Sequence, residues 1–200
     1  MDAVAFLKFG DSAVAGAAIM GRITPVAFAA VFALSGAIGP IIGQNAGARN
    51  FSRVRETLLA AIFCNVVYVL AVWLLLWLLA DFIVAAFSAT ETAAQLIYFY
   101  IHYLVGAFMF SGILFIANAS FNNLGKAQLA TLANWARALL GTVPCVYFGA
   151  RWYGAPGVMA GEAIGSMLFG CLAFAVVLYY VTNLKRRHKM ALVDEPAPRS

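Results

Sequence analysis

Five apolar stretches, near 13–43, 58–80, 93–119, 129–150 and 157–181, fill most of this 200-residue chain, and the short gaps between them hold most of its charge. Each stretch is at least as long as the roughly 20 residues an α-helix needs to cross about 30 Å of hydrocarbon. We label them spans A to E. None alternates apolar and polar residues as a membrane barrel strand must for its lipid and lumen faces, so strands are a poor alternative. The fold class expected is therefore all-α transmembrane, with about five membrane-spanning helices. Composition closes the soluble route: hydrophobic residues make up 64% and charged residues 10%, with a mean hydropathy of +0.89, too few charges to coat a water-exposed surface.

Lysine and arginine in short loops stay on the cytoplasmic side. The A–B gap carries Arg49, Arg53 and Arg55, the C–D gap carries Lys126, and Lys185, Arg186, Arg187 and Lys189 follow span E. The other two gaps hold Asp81 and Glu91, and a lone Arg151. This alternation predicts a cytoplasmic C-terminus and an N-terminus outside; the localisation expected is an integral protein of the bacterial inner membrane. The formal charge of +5 is explained by orientation, so no nucleic-acid partner is expected. The segment 3–9 is too short to cross and reads as the remnant of a preceding span. We expect one helical membrane domain over 1–182 and a basic, disordered cytoplasmic tail over 183–200, where charge and two prolines discourage regular structure.

Within the spans, glycines recur every four residues at Gly39 and Gly43, and at Gly157, Gly161 and Gly165, a spacing that lets a neighbouring helix approach closely. Pro25 in span A and Pro144 in span D each remove a backbone hydrogen bond and predict bends. Cys64, Cys145 and Cys171 fall inside spans without metal-ligand spacing, so they read as buried thiols, and no metal or cofactor is expected. Neither a zinc helix nor a serine-protease motif is present, and His102 and Ser111, nine apart on one helix, point to different faces. No enzyme is expected.

Charges inside hydrocarbon are costly and must face protein or water. Arg22, Arg137 and Glu162 lie well inside the spans, and His102 adds a titratable group. At about 1.5 Å per residue, Arg22 lies roughly 15 Å below the outer face, His102 roughly 13 Å, Glu162 roughly 8 Å and Arg137 roughly 20 Å. Two readings stay open: a structural ion pair of Glu162 with Arg137 or Arg22, or a protonation site at Glu162 or His102 that changes charge during a cycle. Tyr100 and Tyr103, three apart on one helix, serve as interfacial anchors or as aromatic surface for an organic cation.

The stretch Gly39-Pro40-Ile41-Ile42-Gly43-Gln44-Asn45-Ala46-Gly47 resembles a helix-end signature of the multidrug and toxic compound extrusion (MATE) family. Phe121-Asn122-Asn123-Leu124-Gly125-Lys126, then Asn134-Trp135-Ala136-Arg137 and Pro144, carry the likeness onward. In the first stretch, glycine releases the helix and Gln44 or Asn45 satisfies terminal carbonyls. The resemblance implies the eighth to twelfth helices of a two-lobed antiporter that exports organic, often cationic, compounds in exchange for protons or sodium ions. It further implies that an N-terminal lobe or a partner half completes the cavity. Where many members carry an acidic cation-site residue, this chain has Ser111, so no ion-coupling residue is transferred. Other readings are an exporter of lipid-linked sugars, which Arg22 and Arg137 would suit, and a structural membrane fragment without transport.

Overall fold

The computed structural model describes residues 3–193, and every regular element among them is helical. Hydrocarbon offers backbone N–H and C=O groups no partner, and a helix satisfies them internally. A 3-10 turn, Ala3–Phe9, packs its fully buried Phe6 into the bundle. Then come α1 (Asp11–Ala27), α2 (Ala29–Gly47), α3 (Phe51–Leu78), the short α4 (Ala80–Ala86), α5 (Glu91–Phe99), α6 (Phe108–Asn123), α7 (Ala127–Ala136) and α8 (Val143–Val193). Four continuous stretches, Ala29–Gly47, Phe51–Leu78, Glu91–Asn123 and Ala127–His188, are long and apolar enough to cross a bilayer.

The last of these is 62 residues long, or about 93 Å if straight, three times the hydrocarbon thickness. It folds back on itself at Gly154, whose φ of 65° and ψ of −141° suit a residue without a Cβ. Pro156, just beyond, has a fixed φ suited to the first turn of a restarting helix. The two arms are spans D and E, packed backbone to backbone. A Cβ on Gly149 would collide with the carbonyl of Gly157, one on Gly161 with the carbonyl of Cys145, and one on Gly165 would lie 3.0 Å from Gly141 and Thr142. The four-residue glycine spacing read from span E thus meets small residues descending span D in step.

Interruptions fall where the sequence only partly marks them. Span A breaks at Phe28 (φ −109°, ψ 17°), three residues after Pro25. The Ala27 carbonyl at that break accepts from the Tyr68 hydroxyl at 2.7 Å. Span C widens into a π-turn over Tyr100–Leu104 and then tightens into a 3-10 turn over Val105–Ala107, although no proline or glycine precedes the widening. Span D widens over Arg137–Thr142 immediately before Pro144, where a missing amide and its displaced carbonyl are absorbed by the looser turn.

The A–B turn corrects one expectation. Gly47 stays in the helix, and Arg49 takes the left-handed conformation at φ 56°. The Asn50 N–H reaches back to the Asn45 carbonyl at 2.8 Å, while the Asn50 side chain caps α3 by accepting from the Arg53 N–H at 3.2 Å. Once Asn50 is committed as the cap, the turn must reverse one residue earlier. In the C–D turn Gly125 sits at φ 69° and the Lys126 N–H closes onto the Phe121 carbonyl at 2.8 Å.

The tail departs from the disorder expected from residue 183. Helix α8 continues to Val193, and Phe51 at the start of α3 meets the His188 ring edge-on at 5.5 Å. A helix already nucleated propagates readily through lysine, arginine, methionine and leucine. Residues 194–200, the remainder of that expectation, lie outside the described residues. The basic residues of both turns and of the tail gather at one end of the bundle.

Two apolar cores fill the interior. One joins α1, the middle of α3, α5 and the Gly154 end of α8 around Phe6, Met20 and Phe28; the other joins α2, the start of α3, α6 and the far arm of α8 around Ile42, Leu58 and Phe121. Between them the wholly buried Asn65 donates to the Met109 carbonyl at 2.9 Å, beside Gly112, which leaves room for it. The outer faces are the reverse of a soluble protein: Phe63, Leu74, Phe82, Leu140, Trp152 and Leu168 are all exposed, as a lipid-facing surface requires.

Candidate functional site

A partly open cavity of about 260 Å3 lies where spans A, C, D and E meet. Four of the charged or polar candidates converge on it: Tyr100 and Ser111 from span C, Arg137 from span D and Glu162 from span E. Helical spacing explains the walls. Phe108, Ser111 and Phe115 share one face of α6, and Met159, Glu162, Ala163 and Ser166 share one face of α8, each set at intervals of three or four residues.

Both π-turns begin at a cavity residue, Tyr100 in one and Arg137 in the other. A π-turn inserts an extra residue into the helix and re-aims the side chains around it, which is why such turns recur at functional sites. The Tyr100 hydroxyl lies 3.1 Å from the Thr24 hydroxyl, and Thr24 also donates to the Met20 carbonyl at 2.8 Å, one turn before Pro25. That link ties the bend of span A to the widened turn of span C.

The cavity has two characters. Phe32, Phe108 and Phe115 form an aromatic wall, with Phe28 stacked on Phe108 at 4.0 Å and Phe32 tilted against Phe115 at 5.3 Å. The polar side offers the guanidinium of Arg137, the carboxyl of Glu162 and the hydroxyls of Thr24, Tyr100, Ser111 and Ser166. The Arg137 Nε is buried with no hydrogen-bond partner, as is the Thr142 hydroxyl at the other end of the same π-turn. An unsatisfied buried donor on a charged group is expensive.

Three candidates stand elsewhere. Arg22 follows Gly21 of the wall, but its own side chain is exposed. His102 sits in an aromatic cluster, stacked on Tyr98 at 5.9 Å and edge-on to Trp77 at 5.6 Å, with the exposed Tyr103 beside it. The Tyr98 hydroxyl donates to Asp81 at 2.7 Å, joining that cluster to the acidic end of the bundle.

The motif residues have structural partners. Gly39 and Gly43 make room for Asn123, whose amide would lie 2.6 Å from a Cβ on Gly39, so the two sequence motifs pack on each other. Asn123 itself donates to the Ala119 carbonyl at 2.8 Å, and Asn45 donates to the Ile41 carbonyl at 2.8 Å. The Gln44 carbonyl accepts from the Ala48 N–H. Asn118 donates to Asn134 at 3.1 Å, one turn before Arg137. Sequence reading missed Thr24, Ser166 and the three phenylalanines. Ser166 was findable, being one turn from Glu162; a phenylalanine among so many carries no such signal.

The MatE family model matches residues 1–148. A Pseudomonas savastanoi protein, named only as an uncharacterized 21 kDa protein in the iaaL 5' region, is 32% identical over 164 residues, 82% of this chain and 54% of its own length. A protein of Shewanella oneidensis named as an FAD transporter is 26% identical over 172 residues, 86% of this chain and 37% of that protein. Among solved structures, the Vibrio cholerae MATE transporter VcmN in its bent form aligns with a TM-score of 0.82 at 23% identity, covering 90% of this chain and 42% of that one. An outward-facing multidrug resistance MATE family transporter of the MOP superfamily aligns at 0.84 with 22% identity, covering 92% and 42%. These structural likenesses establish the fold, and the chain spans little more than half, or less, of the length of each relative.

Proposed function

We propose that this chain, which belongs to the MatE family of membrane transporters, supplies helices of one lobe to an exporter of organic compounds driven by a proton or sodium gradient. The observation that carries the proposal is the cavity: a bilayer-embedded space whose wall combines an arginine, a carboxyl and four hydroxyls with an aromatic face. Charges placed at such depth are retained where they meet cargo, ions or one another. The Shewanella relative's name gives FAD as its cargo, and an organic compound is the cargo class proposed here.

In this reading the protein resides in a bacterial inner membrane with its basic end in the cytoplasm. A second lobe, from an N-terminal extension or a partner chain, faces the open side of the cavity and lets access alternate. The bilayer, small organic compounds and that second lobe are its partners.

The test is gradient-driven dye efflux from proteoliposomes. The 200-residue chain alone is expected to give none, because half of a central cavity cannot close to each side in turn. Co-reconstitution with the N-terminal lobe of a family member is expected to give efflux that collapses when the gradient is dissipated. Robust efflux from this chain alone, or none from the assembled pair, would refute the proposal.

A further inference from the structure

We propose that the basic end of the bundle binds the headgroup of an anionic phospholipid, with the lipid phosphate held between Arg55 of α3 and Lys185 of α8. This site needs the bundle in a bilayer and nothing of its transport activity. Two helices leave the hydrocarbon side by side at that end. Val54 and Leu58 of α3 share one apolar cluster with Val177 and Val181 of α8. Beyond that cluster the helices stay together, because the Phe51 ring meets the His188 ring edge-on at 5.5 Å. Arg55 lies four residues after Phe51 and Lys185 three before His188, so each cation stands one helical turn from the ring pair, on its membrane side. Both side chains are exposed and free to turn toward a ligand between the helices.

Depth selects the ligand. The apolar run of span B starts near residue 58 and that of span E ends near residue 181. At about 1.5 Å per residue, Arg55 lies roughly 4.5 Å and Lys185 roughly 6 Å beyond the hydrocarbon, inside a headgroup layer of about 5–7 Å on each side of a bilayer. Arg53 and Arg186 follow at roughly 7.5 Å, at its outer edge. The stems of lysine and arginine suit this boundary, lying along apolar surface while the charged head stays in the polar layer. Arg49, Lys126 and Arg187 add exposed charge at the same end, and Glu56 is the one acid there among the described residues. An anionic headgroup offsets such an excess of cations, which a zwitterionic one, with no net charge, does not. The opposite end mixes Asp11, Asp81 and Glu91 with Lys8 and Arg151 and has no such excess. A soluble polyanion would have to enter the headgroup layer to reach Arg55 and Lys185, whereas a lipid phosphate already sits at that depth.

The experiment measures lipid retention by the purified protein in detergent micelles, by native mass spectrometry, with dioleoylphosphatidylglycerol and dioleoylphosphatidylcholine offered at equal concentration. The expected result is at least about fivefold preference for phosphatidylglycerol, the effect of one cation near an anionic surface. That preference should shrink as ionic strength rises from about 0.1 M to about 1 M, where screening shortens from about 10 Å to about 3 Å. Arg55→Gln with Lys185→Gln is expected to lose the preference. Lys8→Gln with Arg151→Gln, which removes the same charge from the opposite end, is expected to keep it. Helical circular dichroism checks that each variant folds; should the Arg55 and Lys185 pair not fold, Lys185→Gln alone, on the part of α8 beyond the hydrocarbon, is expected to lower the preference and decides. Equal retention of the two lipids, a preference that survives in folded Arg55→Gln with Lys185→Gln, or an equal loss in both double variants would overturn the proposal. So would displacement of bound phosphatidylglycerol by inorganic phosphate or a single-stranded oligonucleotide at equal concentration, which would make this a site for soluble anions. None of these outcomes depends on the efflux assay.

Discussion

The indole N–H of Trp73 donates to the Ile101 carbonyl at 2.7 Å, and the same ring covers Gly106, where a Cβ would lie 2.7 Å from it. A widened turn releases a carbonyl from the regular ladder, and here a neighbouring helix supplies its donor. Trp73→Phe preserves an aromatic ring over Gly106 but removes the N–H. The expected loss is about 1–3 kcal/mol of stability, read from denaturant unfolding in detergent micelles. An unchanged midpoint would mean that the π-turn holds without its external donor.

The glycines of this chain are not equivalent, and substitution separates them. Gly161 faces the Cys145 carbonyl across the D–E hairpin with no room for a methyl group, whereas a Cβ added at Gly36 on α2 would meet nothing within 4 Å. Gly161→Ala is expected to push the hairpin apart and destabilise by about 1–3 kcal/mol, the usual penalty of overpacking. Gly36→Ala is expected to be neutral or to stabilise by up to about 1 kcal/mol, since alanine loses less backbone freedom on ordering. Thermal unfolding of the two variants side by side checks the ranking, and equal effects would contradict the packing.

How far the sequence reaches is itself physical. Spans are legible because lipid imposes a single demand, internal satisfaction of every backbone group, and long apolar runs of helix former are the only way this chain meets it. The D–E hairpin is legible for the same reason, with its glycine ladder on one side. The π-turn at Tyr100 is not, because the donor that meets its Ile101 carbonyl is Trp73, whose approach only the folded bundle reveals. The break in span A falls at Phe28 rather than at Pro25, and the hydroxyl that meets it at the Ala27 carbonyl comes from Tyr68 on another helix. At the site, Arg137 and Glu162 stand out as charges in oil; Arg22 does equally, yet its position on the helix turns it away from the cavity. His102 is titratable but spent in an aromatic cluster.

Ser111 offers a test of the charge balance in the cavity. It lies on the wall with Arg137 and Glu162, where the family resemblance places an acid in other members. Ser111→Asp would add a second carboxylate facing the arginine. With Arg137 on the same wall, the binding of a small aromatic acid such as 4-fluorobenzoate to the purified protein in nanodiscs should weaken at least about tenfold in Ser111→Asp, equivalent to about 1.4 kcal/mol, while Ser111→Ala, which removes one donor only, should lower it by a few-fold at most. Benzyltrimethylammonium should begin to bind to Ser111→Asp. Unaltered selectivity would place the recognised group away from this wall.

Orientation supplies the last prediction, since the bundle gathers its basic turns and tail at one end. Single cysteines replacing Arg53, Lys126 and Arg186 should react with a membrane-impermeant maleimide from the same side, and one replacing Ser88 from the other. Ser88 lies in the turn between α4 and α5, with φ 47°. Native Cys64, Cys145 and Cys171 need removal first, because, contrary to the buried thiols expected from the sequence, Cys64 and Cys171 are exposed and Cys145 is half-buried. The positive-inside rule further specifies that Arg53, Lys126 and Arg186 are labelled from the cytoplasm. Labelling of Arg53→Cys and Arg186→Cys from opposite sides would require an odd number of crossings where spans B and C and the D–E hairpin make an even one, and would break the bundle as described. Labelling of all three from outside would keep the fold and reverse only its insertion.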